Sequence, residues 1–323
     1  MDRAERRTGV VLAAMGGPSS PDDVERFLRA VFSDRSIIRL PGGPWAQGPF
    51  ARMIARRRAP VVRARYELIG GRSPLLDWTL SQAAHVEREL AARGVDAPCR
   101  VAMRYAEPSF ATTVEELAAE GVEHLVVVPM YPQYSAATTG SCEAELDRAL
   151  AATVGWGAPP RREVVADFHD HPRYVDLLRD DLERHTAPDD VLVFSAHAVP
   201  RSLAERGDPY VDQVRRTMAL VAGDRPHHLA FQSRTGPVRW VGPDTVDVVR
   251  ELLASSDRRI CIVPIAFVCD HIETLHELDI DLPARVGAPP GRLHRLPMPN
   301  DDPRLGAALA DLVEERIHRR AHA

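Results

Sequence analysis

The chain contains no lysine: every one of its 41 basic residues is an arginine. That absence excludes catalysis through a lysine Schiff base and a phosphate-binding loop ending in Gly-Lys-Ser/Thr. Cysteine is scarce too. Cys99, Cys142, Cys261 and Cys269 are widely separated, and no C-x-x-C pair of the kind that ligates zinc or an iron–sulfur cluster occurs. The expectation is four reduced thiols in a cytosolic protein. No segment approaches the roughly 20 apolar residues of a membrane-spanning helix. The apolar run near the start is too short for a secretory leader. A net charge of −5 offers no basic field for nucleic acid. No G-x-G-x-x-G follows an early strand, which argues against a dinucleotide.

What remains is ample for two globular domains: 323 residues, of which 45% are hydrophobic and 27% charged. Short apolar runs alternate with helical periods, as parallel α/β sheets require. Residues 9–14 read as a first strand, closed by Met15-Gly16-Gly17-Pro18 and followed by a helix to about Phe32. Residues 41–49 (PGGPWAQGP) are expected to break regular structure before a helix whose stretch Arg52 to Arg65 holds six arginines and no acid. Further strands are predicted over 100–104, 124–129, 163–167, 191–194, 228–231 and 259–265. A closing helix spans roughly 303–319. With 157–160 (Gly-Ala-Pro-Pro) as the linker, the predicted architecture is α/β: two Rossmann-like domains, 1–160 and 161–323. Each is a parallel sheet flanked by helices, with a cleft formed by the carboxyl-edge loops between them and the last helix free to pack back on the first domain.

Two stretches carry chemistry. In VLVFSAHAVPRSLAERGDPY, Val191 to Tyr210, the apolar run stops at Ser195 and places His197 just past a strand's carboxyl end, the side on which open α/β sheets bind ligands. Taken alone, a histidine there is more often a loop residue bonded to its neighbours. In PIAFVCDHIETLHELDID, Pro264 to Asp281, a helix starting near Asp270 sets Glu273, Glu277 and Asp281 at i, i+4 and i+8 along one stripe. A solvated acidic face accounts for the stripe. So does a conduit, because carboxylates carry protons and offer hard oxygen ligands to a divalent cation. His271, Glu273 and His276 do not share a face as H-E-x-x-H histidines do, so a permanent zinc site is not indicated.

Ser195-Ala196-His197 with Pro200 and Gly207-Asp208-Pro209-Tyr210 resembles the histidine signature of the ferrochelatases. Phe231-Gln232-Ser233-Arg234 with Gly236-Pro237, Trp240, Gly242-Pro243 and Thr245 is similar to that family's next block, and Phe267 to Asp279 to its acidic helix. The resemblance extends through Met15-Gly16-Gly17-Pro18, Tyr66 with Ile69-Gly70-Gly71 and Ser73-Pro74, Arg104-Tyr105, and Tyr131-Pro132-Gln133-Tyr134-Ser135 with Thr138-Thr139-Gly140-Ser141. Ala198-Val199 stands where Ser-Leu is usual, Arg72 where glycine is common and Cys269 where serine is common.

The resemblance implies a lyase that inserts Fe2+ into a porphyrin, the last step of haem synthesis, with release of two protons. It implies His197 as base, Glu273 assisting across the ring, and both as transient metal ligands. Glu277, Asp281, His271 and Asp270 would relay protons or metal. Met15, Trp240 and Phe267 would wall the porphyrin. Arg58, Tyr66, Ser73, Arg104 and Tyr105 would bind it, the first four through its propionates, unless Arg104 pairs with Glu107. Met15 stands where relatives acting on coproporphyrin carry tyrosine, so protoporphyrin IX is the expected substrate. The alternatives are coproporphyrin, a cobalt or nickel chelatase acting on another tetrapyrrole, and a non-catalytic haem or porphyrin carrier. Iron is a substrate, and neither a permanent cofactor nor an iron–sulfur cluster is expected. Residues 40–58 mix Trp45, Phe50, Met53 and Ile54 with arginines and suit an anionic membrane surface. The expected location is cytoplasmic, peripheral to the inner membrane, with no nucleic-acid partner.

Overall fold

Strand β1 (Thr8–Ala14) is buried along its whole length because it has a neighbour on either side and a helical layer on each face. The computed structural model describes residues 7–35, 37, 43–153, 156, 159–236 and 238–319. In it, β1 lies between β2 (Cys99–Met103) and β3 (His124–Pro129), and β4 (Arg161–Val164) pairs with β3, all parallel. Helices α1 (Val24–Ser33), α2 (Pro44–Glu67), α3 (Leu75–Ala92), α4 (Phe110–Ala119) and α5 (Thr139–Ala152) complete the connections. A second parallel sheet has the same order: β6 (His227–Gln232), β5 (Val191–His197), β7 (Ile260–Pro264) and β8 (Leu293–Arg295). Its helices are α6 (Pro172–His185), α7 (Arg201–Ala204), α8 (Tyr210–Ala222), α9 (Thr245–Ser255) and α10 (Leu282–Val286), preceded by a π-helix over Glu273–Asp281. Helix α11 (Pro303–Arg319) packs on α3, where Arg93 bonds Asp311 at 2.7 Å and Glu314 at 2.9 Å.

The chain forms two compact units. One takes residues up to 130, 136–167 and 301 onward; the other takes 131–135 and 168–300. The predicted strand at 163–167 therefore begins earlier, at Arg161, and completes the first sheet rather than opening the second. The crossover through α5 returns it beside β3, as a right-handed connection between parallel strands does. Gly157 and Ala158 of the expected linker lie outside the described residues. A second correction concerns 41–49. Residues 41 and 42 are outside the described residues, but helix begins at Pro44 and continues through Pro49 and Pro60. Pro44 sits where a missing N–H is harmless. A face of buried Ala46, Ala51, Ala55 and Ala59 against α1 outweighs the bonds lost at the other two prolines. Strand β8 was not predicted, since three half-buried residues carry no periodicity.

At the edge opposite the carboxyl ends, Asp190 precedes β5 and Arg259 precedes β7. Asp190 is 2% exposed and accepts from Arg259 Nε at 3.0 Å and Nη2 at 2.8 Å, and from Ala187 N–H at 3.0 Å. Burial pushes the carboxyl pKa up, but the guanidinium and the N–H outweigh it and hold it below its ordinary value. A carboxylate with a depressed folded pKa stabilises fully above its unfolded value and loses that contribution as pH falls through the folded one. Asp190→Asn is expected to destabilise the fold by about 1.5–3 kcal/mol at neutral pH. Denaturant unfolding at several pH values checks this, and the gap from wild type should close as pH drops below 3.8.

Candidate active site

Three neighbouring strands of the second sheet deliver side chains to one place. His197 is the last residue of β5, one step earlier than a residue beyond the strand, and pairs in register with Gln232 at the end of β6. The polar groups beneath it are satisfied. Ser195, fully buried, gives its hydroxyl to Gln232 Oε1 at 2.7 Å, lies 2.9 Å from the Thr245 hydroxyl, and accepts from Ile265 N–H at 3.1 Å. The Tyr210 hydroxyl donates to the His197 carbonyl at 3.0 Å. The segment 131–135 belongs to this unit: Gln133 donates to the Ile265 carbonyl at 3.1 Å, and the Ser135 hydroxyl to Asp208 at 3.1 Å. These bonds tie together, in space, motifs that are far apart in sequence.

His197 Nδ1 lies 2.7 Å from Glu273 Oε2. A carboxylate can only accept, so Nδ1 carries hydrogen and, in the neutral ring, Nε2 keeps the lone pair. Burial pulls the imidazole pKa down, but the adjacent Glu273 carboxylate outweighs it and raises it above the ordinary value. For Glu273 burial acts upward and His197 downward, and the net result holds its carboxyl at about 2. The pair is an imidazole oriented by an anion. The two groups are direct neighbours, 2.7 Å apart, on one side of the site.

Ser233, just past β6, joins this pair to Glu277. Its N–H donates to Glu277 Oε1 at 2.7 Å, and its hydroxyl lies 2.5 Å from Glu277 Oε2 and 2.9 Å from Glu273 Oε2. One hydroxyl hydrogen cannot serve two carboxylates, so the second contact needs a carboxyl O–H. Glu277 is the group suited to carry it, since burial and then the Glu273 charge raise its pKa. Beyond it, Asp281 lies 3.5 Å from Arg285, and an open cavity of about 420 Å3 is lined by Ser233, Arg234, Asp244, Glu277, Asp281 and Arg285.

The stripe winds as a π-helix, not the expected α-helix, a form concentrated at functional sites. Its start is anchored. Asp270 bonds the Asn300 amide at 2.8 Å, the Thr274 hydroxyl at 2.9 Å and Arg295 at 3.0 Å. Arg295 also forks onto Asp279 at 2.7 and 2.9 Å, clamping the helix to β8. Asp270 thus anchors the head of the helix. His271 Nε2 is 3.9 Å from Glu273 Oε1, and its ring meets Phe267 edge-on at 4.4 Å. Burial lowers its pKa. Trp240 bridges to Pro200, beside the turn that follows His197.

The remaining predicted residues belong to the first unit. Met15 follows β1, and its carbonyl accepts from Tyr105 N–H at 3.0 Å. Tyr66 and Ser73 are buried beneath the same turn. Ser73 N–H donates to the Pro18 carbonyl at 2.9 Å, and a Cβ at Gly17 would fall 2.5 Å from the Ser73 hydroxyl, so only glycine fits. Arg104 bonds Asp34 at 2.7 Å, Glu145 at 3.0 Å and the Ser141 hydroxyl at 2.9 Å. The Tyr105 hydroxyl donates to Asp34 at 2.6 Å. Arg104 therefore pairs with Asp34 and Glu145, while Glu107, the alternative partner, accepts from Ser109 N–H at 2.8 Å. Arg58 lies over the Phe32 ring at 5.8 Å.

The ferrochelatase family model matches residues 7–317. The chain belongs to the ferrochelatase family. It is 43% identical over 325 residues to a ferrochelatase of Geobacter metallireducens, covering 96% of this chain and 98% of that protein. It is 40% identical to one of Thermosynechococcus vestitus, covering 96% and 82%. Among solved structures it is similar to SirB from Bacillus subtilis with Fe3+, at TM-score 0.57 and 13% identity over 98% of each chain. It is also similar to CbiX, the terminal enzyme for biosynthesis of siroheme in denitrifying bacteria, at TM-score 0.53 and 17% identity over 95% of this chain and 98% of that one. At such identities the two structures speak for the fold alone. Ferrochelatase membership makes the chain a metal chelatase, a lyase of porphyrin biosynthesis that inserts a metal ion into a tetrapyrrole.

Ser233 stands within a block of sequence that gives it no separate role, and Arg295 stands in none, so neither is marked as functional by the sequence. The dyad yields a direct expectation. In an NMR titration, His197 should hold its proton above the ordinary imidazole value, about 6.5. In Glu273→Gln, which removes the largest raising influence and leaves burial opposed by Glu277 only, it should release the proton at a lower pH than in wild type.

Proposed function

We propose that the chain inserts Fe2+ into protoporphyrin IX to form protohaem. The observation that carries this reading is the His197–Glu273 pair, continued through Ser233 and Glu277 to a solvent-open cavity. Insertion removes two pyrrole protons as one divalent cation enters, so the charge of the macrocycle is unchanged. Its nitrogens are poor acids whose lone pairs point inward; a bent ring exposes them, and remote binding contacts offset the strain. His197 Nε2 accepts each proton, and Glu273 stabilises the imidazolium that forms. Glu277 and Asp281 carry the proton on to the cavity. The same imidazole and carboxylate offer one nitrogen and one oxygen to the incoming metal, and the neutral His271 beside them offers another nitrogen.

Met15 supports protoporphyrin through the family resemblance. Arg58 is the proposed propionate partner, while Tyr66 and Ser73 act by holding the turn beneath Met15. The pairing of Arg104 and Tyr105 with Asp34 makes them part of the frame. The four buried cysteines, two in each unit, support a protein with no resident iron–sulfur cluster. Steady-state assays with Fe2+ and either protoporphyrin or coproporphyrin test the substrate, and a preference for coproporphyrin overturns it. His197→Ala should lower kcat by about 10²- to 10⁴-fold while porphyrin still quenches protein fluorescence.

No helix among the described residues is long and apolar enough to cross a membrane. Helix α2, however, exposes Trp45 by 83% and Met53 by 57% among Arg52, Arg56 and Arg57. Apolar anchors within a cationic surface support a peripheral contact with an anionic bilayer at its cytoplasmic side. Co-sedimentation with phosphatidylglycerol vesicles should fall in Trp45→Ala/Met53→Ala, with metal insertion into dissolved porphyrin unchanged.

A further inference from the structure

Ser233 adopts φ 63°, the left-handed region in which a residue bearing a Cβ is strained and glycine is not. Among the described residues the other non-glycine at positive φ is Asn300, a type that tolerates this conformation readily. Serine gains no comparable local relief here, because its hydroxyl is committed to the π-helix instead. Turned this way, Ser233 holds Glu277 twice, with its N–H 2.7 Å from Oε1 and its Oγ 2.5 Å from Oε2. The same Oγ, 2.9 Å from Glu273 Oε2, meets the oxygen that His197 Nδ1 also reaches at 2.7 Å. Glu273 and Glu277 are four residues apart on one helix face, where like charges repel unless something is placed between them. Strain of this kind persists where the surroundings over-determine it, and it clusters at working sites.

We propose that Ser233 is a positioning residue: its hydroxyl locks Glu273 and Glu277 together and holds Glu273 in line with His197, and its strained backbone is kept for that hydroxyl, not for the path of the chain. The proposal rests on the metal-inserting role given above to His197 and Glu273. It separates from a purely structural role because the two simplest substitutions differ in strain but not in the loss of the hydroxyl. Ser233→Ala loses the hydroxyl and keeps the Cβ; Ser233→Gly loses both.

The test measures melting temperature and steady-state Fe2+ insertion for wild type, S233A, S233G and H197A. Both serine variants should lose kcat equally, about 10- to 100-fold, with the porphyrin KM within about twofold of wild type. S233G should nonetheless melt about 2–4 °C above S233A. Turnover restored in S233G overturns the proposal, because backbone shape would then be what matters. A kcat that tracks melting temperature, a loss expressed in KM, or an S233G that does not fold overturns it equally, the hydroxyl then being a structural element. H197A distinguishes the levels of failure. If H197A keeps wild-type turnover, the reading of the site falls and the role of Ser233 falls with it; an inactive H197A beside a fully active S233G removes the serine alone.

Discussion

A carboxylate kept anionic in a largely enclosed place needs several donors, since burying a charge without partners costs several kcal/mol. Glu273 is that carboxylate, and much of the second sheet's carboxyl edge is arranged around it. His197 reaches it from β5 and Ser233 from the end of β6. The helix that carries it is clamped by Arg295 through Asp270 and Asp279. Beneath, the Ser195, Gln232 and Thr245 side chains fasten β5 to β6 and to the start of α9, so the histidine arrives on a strand that has little freedom to shift. At the far edge the Asp190–Arg259 pair sets the same two strands, β5 and β7, from their beginnings.

The absence of lysine acquires a structural meaning in these contacts. Arg259 spans both oxygens of Asp190, Arg295 joins two aspartates, Arg104 serves two acids and a hydroxyl, and Arg93 ties α3 to α11 through Asp311 and Glu314. A planar fork with five donors can do this; an ammonium on a flexible stem offers no matching pair of parallel bonds.

Apolar runs made the central strands legible, because a strand buried on both faces has to be continuously apolar. His124–Pro129 and Pro303–Arg319 have the expected bounds for that reason and for helical periodicity respectively. Where tertiary packing overrides local signals, the reading failed: α2 runs through prolines on the strength of an alanine face, and β4 rejoins the first sheet past a composition break. The stripe of Glu273, Glu277 and Asp281 was visible as spacing, and His197 as a strand end. Their 2.7 Å contact was not, since periodicity assigns a helix face without fixing its rotation against a neighbouring strand. Ser233 was hidden for a related reason: sequence announces positive φ through glycine or asparagine, and serine gives no such sign.

The π-helix has a consequence for how this stretch presents its carboxyl groups. An i→i+5 ladder gathers more residues into each turn than an α-helix does, and with this winding Glu273 and Glu277 both reach one serine. Were the same residues rewound as an ordinary α-helix, each would advance about 100° round the axis and Glu277 would be carried further round relative to Glu273. Every side chain of the site would still be present, yet the two carboxyl groups would no longer face Ser233 in the same way. Over Glu273–Asp281 the winding of the backbone is therefore as much a part of the site as the identity of its residues.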